Sequence, residues 1–171
     1  MRILDRESAA ALDSQTVQKG PINFKGLMSN AGKVVADFLS EELRIGKGEC
    51  LLVICGPGNN GGDGLAAASL LRKRGYRDIS ILLVGKSKSA SHEYSYFFRQ
   101  CFGIRKVRLG SDVESLFNRA SVILDALLGT GLNRAVSGSA LDIINRINES
   151  SALKVSVDLP SGMPSNSSDP I

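Results

Sequence analysis

Strand-like runs of four to seven residues recur along this chain, and a stretch with helical spacing follows each of the first four. That alternation limits the fold more than any other feature. LLVICG (51–56) is continuously apolar, as expected of a strand buried on both faces. ISILLVG (79–85), 105–109, 122–125 and 154–158 read as four further strands. Between them, 63–75, 91–102, 112–117 and 141–147 carry helical spacing, and Arg72, Lys73, Arg74 and Gly75 suit a helix C-terminus. Repeated strand–helix units give a parallel sheet, and right-handed crossovers leave few topologies. The expectation is an α/β, Rossmann-like, doubly wound parallel sheet in the order 3-2-1-4-5, with helices on both faces. Two amino-terminal helices, 5–19 and 26–43, pack outside it. In the second, Leu27, Ala31, Val34, Val35, Phe38 and Leu39 form an apolar stripe.

Composition narrows the function classes. At 171 residues the chain has one domain's length, and 43% hydrophobic against 22% charged residues is globular. Three Cys without paired spacing exclude a disulfide scaffold, and a single His with no Cys-x-x-Cys disfavours structural zinc. No apolar run reaches the ~18 residues of a membrane span. The start, MRILDRES, lacks a signal-peptide pattern, so a cytoplasmic protein with reduced thiols is expected. Aromatics at 5% and no Trp argue against nucleic acid bound by base stacking. The net charge of +4 is uneven: residues 72–108 hold ten Lys or Arg against two acids. Solvated helix and strand ends are the favoured reading of that excess; a phosphate-facing surface is the other.

In a doubly wound sheet, ligands bind beyond the carboxyl ends of the strands, where strand order reverses. Three exits there are unusual. Gly56-Pro57-Gly58-Asn59-Asn60-Gly61-Gly62-Asp63-Gly64 has five Gly in nine residues before a helix, and a helix N-terminus binds anions. It contains a G-x-G-x-x-G spacing, but the next strand exit (Gly85-Lys86-Ser87-Lys88) lacks the acid that a dinucleotide-dependent dehydrogenase places there. No Gly-Lys-Ser/Thr follows, which excludes a P-loop. The second exit sets Asp125 before Gly129-Thr130-Gly131, and the third sets Asp158 before Pro160-Ser161-Gly162. Oxygens of Asn60, Asp125 and Ser161 could surround a hard cation, which would also relieve repulsion between Asp125 and Asp158. Sodium, potassium, magnesium and no ion are all compatible with these residues.

GPGNNGGDGL (56–65), LDALLGTGL (124–132) and VDLPSG (157–162) together resemble the NAD(P)H-hydrate epimerase family, the YjeF amino-terminal domain. Ala11-Leu12-Asp13 and Leu27-Met28-Ser29-Asn30-Ala31-Gly32 extend the likeness to the amino-terminal helices. The resemblance implies an isomerase of metabolite repair. It would interconvert the R and S epimers of NADH and NADPH hydrated at C6 of the nicotinamide (NADHX and NADPHX), so that an S-specific NAD(P)H-hydrate dehydratase can restore the cofactor. It implies substrate binding by Asn59, Asn60, Gly61, Gly62 and Asp63, by Gly129, Thr130, Gly131, Leu132, Asn133, Arg134 and Ala135, and by Asp158. It implies one potassium ion per subunit on Asn60, Asp125 and Ser161, and a homodimer paired through the amino-terminal region. Asp158 is the candidate for acid–base work, because epimerisation needs assisted departure and return of the hydroxyl. Domains of the family run some tens of residues past VDLPSG and carry a later Lys. Residues 1–171 are therefore expected to be a single such domain, truncated at its carboxy terminus. Within the same fold the alternative is a non-catalytic nucleotide-binding or scaffold protein of RNA processing; a NADP oxidoreductase using Lys86 and Lys88 is a second.

Overall fold

The computed structural model describes residues 6–85, 90–110, 112–130 and 135–163. Five parallel strands form one sheet in the order β3-β2-β1-β4-β5, as expected. These are β1 (Leu51–Cys55), β2 (Ile79–Leu83), β3 (Arg105–Arg108), β4 (Val122–Ala126) and β5 (Leu153–Ser156). The helices are α1 (Arg6–Lys19), α2 (Phe24–Asp37), α3 (Asn59–Lys73), α4 (His92–Gln100), α5 (Val113–Arg119) and α6 (Ser139–Glu149). Order reverses at β1, whose Cys55 lies between Leu83 of β2 and Ala126 of β4. The two halves of the sheet thus diverge from one point, and in such sheets ligands bind beyond the carboxyl ends of the strands at that point.

Alternation along β1 divides the core. Leu51, Val53 and Cys55 point into one layer with Met28, Ala36, Leu65, Ala68 and Phe97 of α2, α3 and α4. Leu52 and Ile54 point into the other, with Leu116 and Phe117 of α5 and Ile143 and Ile147 of α6. Every side chain of β1 and β4 is buried. Helices therefore cover both faces, as the continuous apolar runs require.

Two helices depart from their expected form. α2 ends at Asp37, and 38–42 continue as a π-helical turn. Its buried side is Met28, Gly32, Ala36 and, in that turn, Leu39, while Val34 and Phe38 of the expected stripe are 67% and 42% exposed. The reason is Gly32: a Cβ there would lie 2.5 Å from Ala66 Cβ and 2.8 Å from Ala67 N, so α2 crosses α3 backbone to backbone. The side with the smallest residue wins the contact over the side with the larger apolar ones. α3 begins at Asn59, four residues earlier than its spacing predicts. Gly costs roughly 1 kcal/mol per residue in a helix, but here packing against β1 and β4 overrides it. A Cβ on Gly64 would lie 2.5 Å from Ala126 Cβ, and one on Gly61 would strike the Gly56 carbonyl.

Candidate active site

The Gly-rich segment splits into a strand exit and a first helical turn. Gly56 N–H donates to Ala126 O at 3.1 Å, and a Cβ on Gly56 would collide with Leu127 O. Gly58, extended, precedes α3, and Gly62 N–H donates to its carbonyl at 3.1 Å. Asn59 is exposed and Asn60 half-buried at the helix start. Gly61 and Gly62 are buried; beyond Gly62, in the direction of an added Cβ, lies Met28. Close packing thus accounts for glycine at 56, 61 and 62 before any ligand approaches.

Among the described residues Asp125 is the charged side chain of the core, 3% exposed near the end of β4. Burying a carboxylate is costly unless donors meet it. Leu127 N–H donates to Oδ1 at 3.1 Å, Ser161 Oγ donates to Oδ1 at 2.7 Å, and Ser161 N–H donates to Oδ2 at 2.8 Å. Ser161 Oγ in turn accepts Leu128 N–H at 2.8 Å. The exits of β4 and β5 are thereby tied together. Gly162, at φ +93°, turns the chain immediately after this knot. Asn60 joins from α3, its Nδ2 donating to Leu128 O at 2.9 Å.

Asp158 lies two residues beyond β5, and its Oδ2 accepts Thr130 N–H at 2.8 Å. Gly129 sits between it and Asn60: a Cβ there would be 2.6 Å from Asp158 Oδ2 and 3.3 Å from Asn60 Cγ. Asp63, the fifth residue of α3, completes the group. Burial, then the carboxylates of Asp13 on α1 and of Asp158, push its carboxyl up to about 7. Near neutral pH this carboxyl holds its proton for a substantial fraction of the time.

Of the residues expected from the sequence, Asn60, Asp63, Asp125, Gly129, Thr130, Asp158 and Ser161 gather at one end of the sheet. Ala135 is exposed, and Gly131, Leu132, Asn133 and Arg134 lie outside the described residues. So do Lys86 and Lys88. Asp13 has no expected part in the site and Asp63 is expected only to bind substrate; a carboxylate in the middle of an Ala-rich helix is the signal that Asp13 carries. Asn60, Asp125, Ser161 and the Leu128 carbonyl form an all-oxygen set with a single carboxylate. Among the described residues no donor meets the side-chain oxygen of Asn60, and no group of three or more His, Cys, Asp or Glu could hold a metal ion. Such an all-oxygen set is of the kind that suits a hard cation. A carboxyl that holds its proton to about pH 7 beside a carboxylate held by a main-chain N–H can both give and take a proton.

Residues 25–171 match the family described as YjeF-related protein N-terminus. The chain is 37% identical over 167 residues to the NAD(P)H-hydrate epimerase of Lentilactobacillus buchneri, covering 95% of this chain and 74% of that protein. It is also 37% identical over 164 residues to the enzyme of the same name from Limosilactobacillus reuteri, with the same coverage of both chains. A 150-residue match at 37% identity, covering 84% of this chain, spans 27% of the bifunctional NAD(P)H-hydrate repair enzyme Nnr of Hyperthermus butylicus. The crystal structure of the yeast protein ynu0 (YNL200c) superposes with a TM-score of 0.85 at 26% identity, over 100% of this chain and 75% of that one. With the fold, the Gly-rich helix start and both aspartate exits in place, the chain belongs to the YjeF-related N-terminal family.

Proposed function

We propose that this chain is an NAD(P)H-hydrate epimerase that interconverts the R and S forms of NADHX and NADPHX. One observation carries the reading: Asp63, its carboxyl pushed up to about 7, and Asp158, held by Thr130 N–H, lie together at the switch point of a chain whose relatives bear that name. Asp63 gives its proton to the departing C6 hydroxyl, and water leaves. Water then returns to either face of the ring while Asp158 accepts its proton, and exchange with solvent restores both carboxyls. Nothing is oxidised or reduced. Thr130 N–H and Gly129 fix Asp158, and the free N–H groups at the start of α3 receive the pyrophosphate.

In this reading Asn60, Asp125 and Ser161 hold one potassium ion per subunit, which supplies a fixed positive charge beside the cleft. Ser161 and the Leu128 carbonyl also keep the β4 and β5 exits in register with each other, so this corner positions Asp158. The bifunctional relatives support an NAD(P)H-hydrate dehydratase as functional partner. The exposed side of α2, with Val34 and Phe38, supports a homodimer. Among the described residues no helix is long and apolar enough to cross a membrane, and Cys50, Cys55 and Cys101 are unpaired; both fit action in the cytoplasm. A coupled assay tests the activity. An S-specific dehydratase alone should consume only the S half of an NADHX mixture, and adding this chain should drive consumption to completion. Consumption that stays at the S half refutes the reading.

A further inference from the structure

We infer that the cavity between the exits of β2 and β3 takes the adenosine end of the dinucleotide, and that Arg99 and Arg108 grip its 2′-phosphate, so that the chain favours NADPHX over NADHX. This rests on the epimerase reading. The cavity measures about 280 Å³. That is near the lower end of ligand pockets, roughly 300–1,000 Å³, and suits half of a dinucleotide. Its walls include Pro57, Val84, Tyr94, Phe98, Arg99 and Arg108. Pro57 belongs to the Gly-rich segment, so the cavity opens on the same sheet end as Asp158. β2 and β4 are two strand positions apart, about 10 Å, with the N-terminus of α3 following the strand between them. A pyrophosphate at that N-terminus would place one nucleoside on each side.

The lining matches the two parts of the proposed occupant. Tyr94 and Phe98, four residues apart on α4, present one aromatic side, with Pro57 and Val84 opposite in kind and apolar. These surfaces suit a purine. Both arginines are exposed, and among the described residues neither has a carboxylate partner. The contrast is with Arg74, Arg105 and Arg119, which pair with Asp37, Asp112 and Asp78. Among the described residues no acid lines the cavity. In dinucleotide folds an acid near this strand exit binds the ribose 2′-hydroxyl, whereas an arginine accommodates a 2′-phosphate. Two unpaired guanidinium groups favour the second case, since they offer forked donors to phosphate.

The test compares two probes with equal numbers of phosphates: adenosine 2′,5′-bisphosphate and ADP. Calorimetry should give the wild type a Kd at least tenfold lower for the 2′,5′-bisphosphate. The R99Q/R108Q double variant should bring the two Kd values within about twofold. Lys73→Gln, at the far end of α3, should retain the wild-type ratio. Equal Kd values in the wild type, or a preference that survives in R99Q/R108Q, overturns the subsite. Epimerisation assays separate the two proposals. A wild type that equilibrates NADHX and NADPHX with equal kcat/KM refutes the subsite and leaves the activity standing. A wild type that equilibrates neither, yet prefers the 2′,5′-bisphosphate through these arginines, refutes the activity and leaves the subsite standing.

Discussion

Asp63 makes the site's chemistry measurable without a substrate. Its carboxyl is pushed up to about 7 in the folded chain and returns to the ordinary range, near 4, on unfolding. The folded state therefore binds more protons than the unfolded state between those values. The stability this contributes is fully present below pH 4 and is lost as pH rises through 7, a change of up to roughly 4 kcal/mol. Asp63→Asn cannot ionise, so its advantage over the wild type should grow between pH 4 and 8. Parallel denaturation curves for the two proteins across that range would show that Asp63 is not the group. Asp125 gives a second prediction. Asp125→Ala leaves Ser161 N–H and Leu127 N–H without their acceptor, at about 1–3 kcal/mol each. It should also abolish any rise in melting temperature in potassium over a bulky organic cation. Identical ion dependence in variant and wild type contradicts the cation site. Asp125, Asp158 and Ser161 were legible because strand ends locate themselves in sequence. The raised carboxyl of Asp63 was not, since its burial and its nearness to Asp13 and Asp158 exist only once the chain has folded.

Between elements, the α2–α3 crossing is the feature on which the site's rear wall depends. Gly32 lies against the Ala66–Ala67 backbone, and Met28 lies behind Gly62. Gly32→Ala should force the helices apart and cost about 1–3 kcal/mol, read from chemical denaturation. Unchanged stability would show that the crossing is slack. Helical periodicity predicted α2 but not which side it buries, because apolar size and packing distance point in opposite directions here. The same conflict moved the start of α3: glycines read as loop, yet Gly61 and Gly64 are the residues that let the amino-terminal part of α3 press against Gly56 and Ala126. Gly61→Val should accordingly disturb the fold of the β1–α3 junction, rather than act only by pushing away a phosphate. The strands were read to within a few residues, since burial on both faces leaves a continuous apolar run with little ambiguity.

For the whole molecule, alternation of strands and helices predicted the sheet order, because right-handed crossovers leave almost no other solution. What alternation cannot predict is the surface. The basic middle of the chain proves heterogeneous: Arg74 and Arg105 are in ion pairs, Lys106 lies 5.3 Å from the centre of the Phe98 ring, and Arg99 and Arg108 line a cavity. The side of α2 that carries Val34 and Phe38 should close a homodimer. Light scattering should report about twice the chain mass, and Val34→Asp with Phe38→Asp should return it to one. A wild type that stays monomeric at high concentration contradicts the dimer. If Asp158 moves protons in an epimerase site, the rate of R/S-NADHX equilibration for the wild type and Asp158→Asn at saturating substrate, beside NADP affinity by calorimetry, reveals it. Rapid equilibration by the wild type is predicted, slowed about 10²-fold or more in the variant while affinity changes little. A wild type that leaves the epimers unequilibrated, or a variant that loses affinity but keeps its rate, would contradict it.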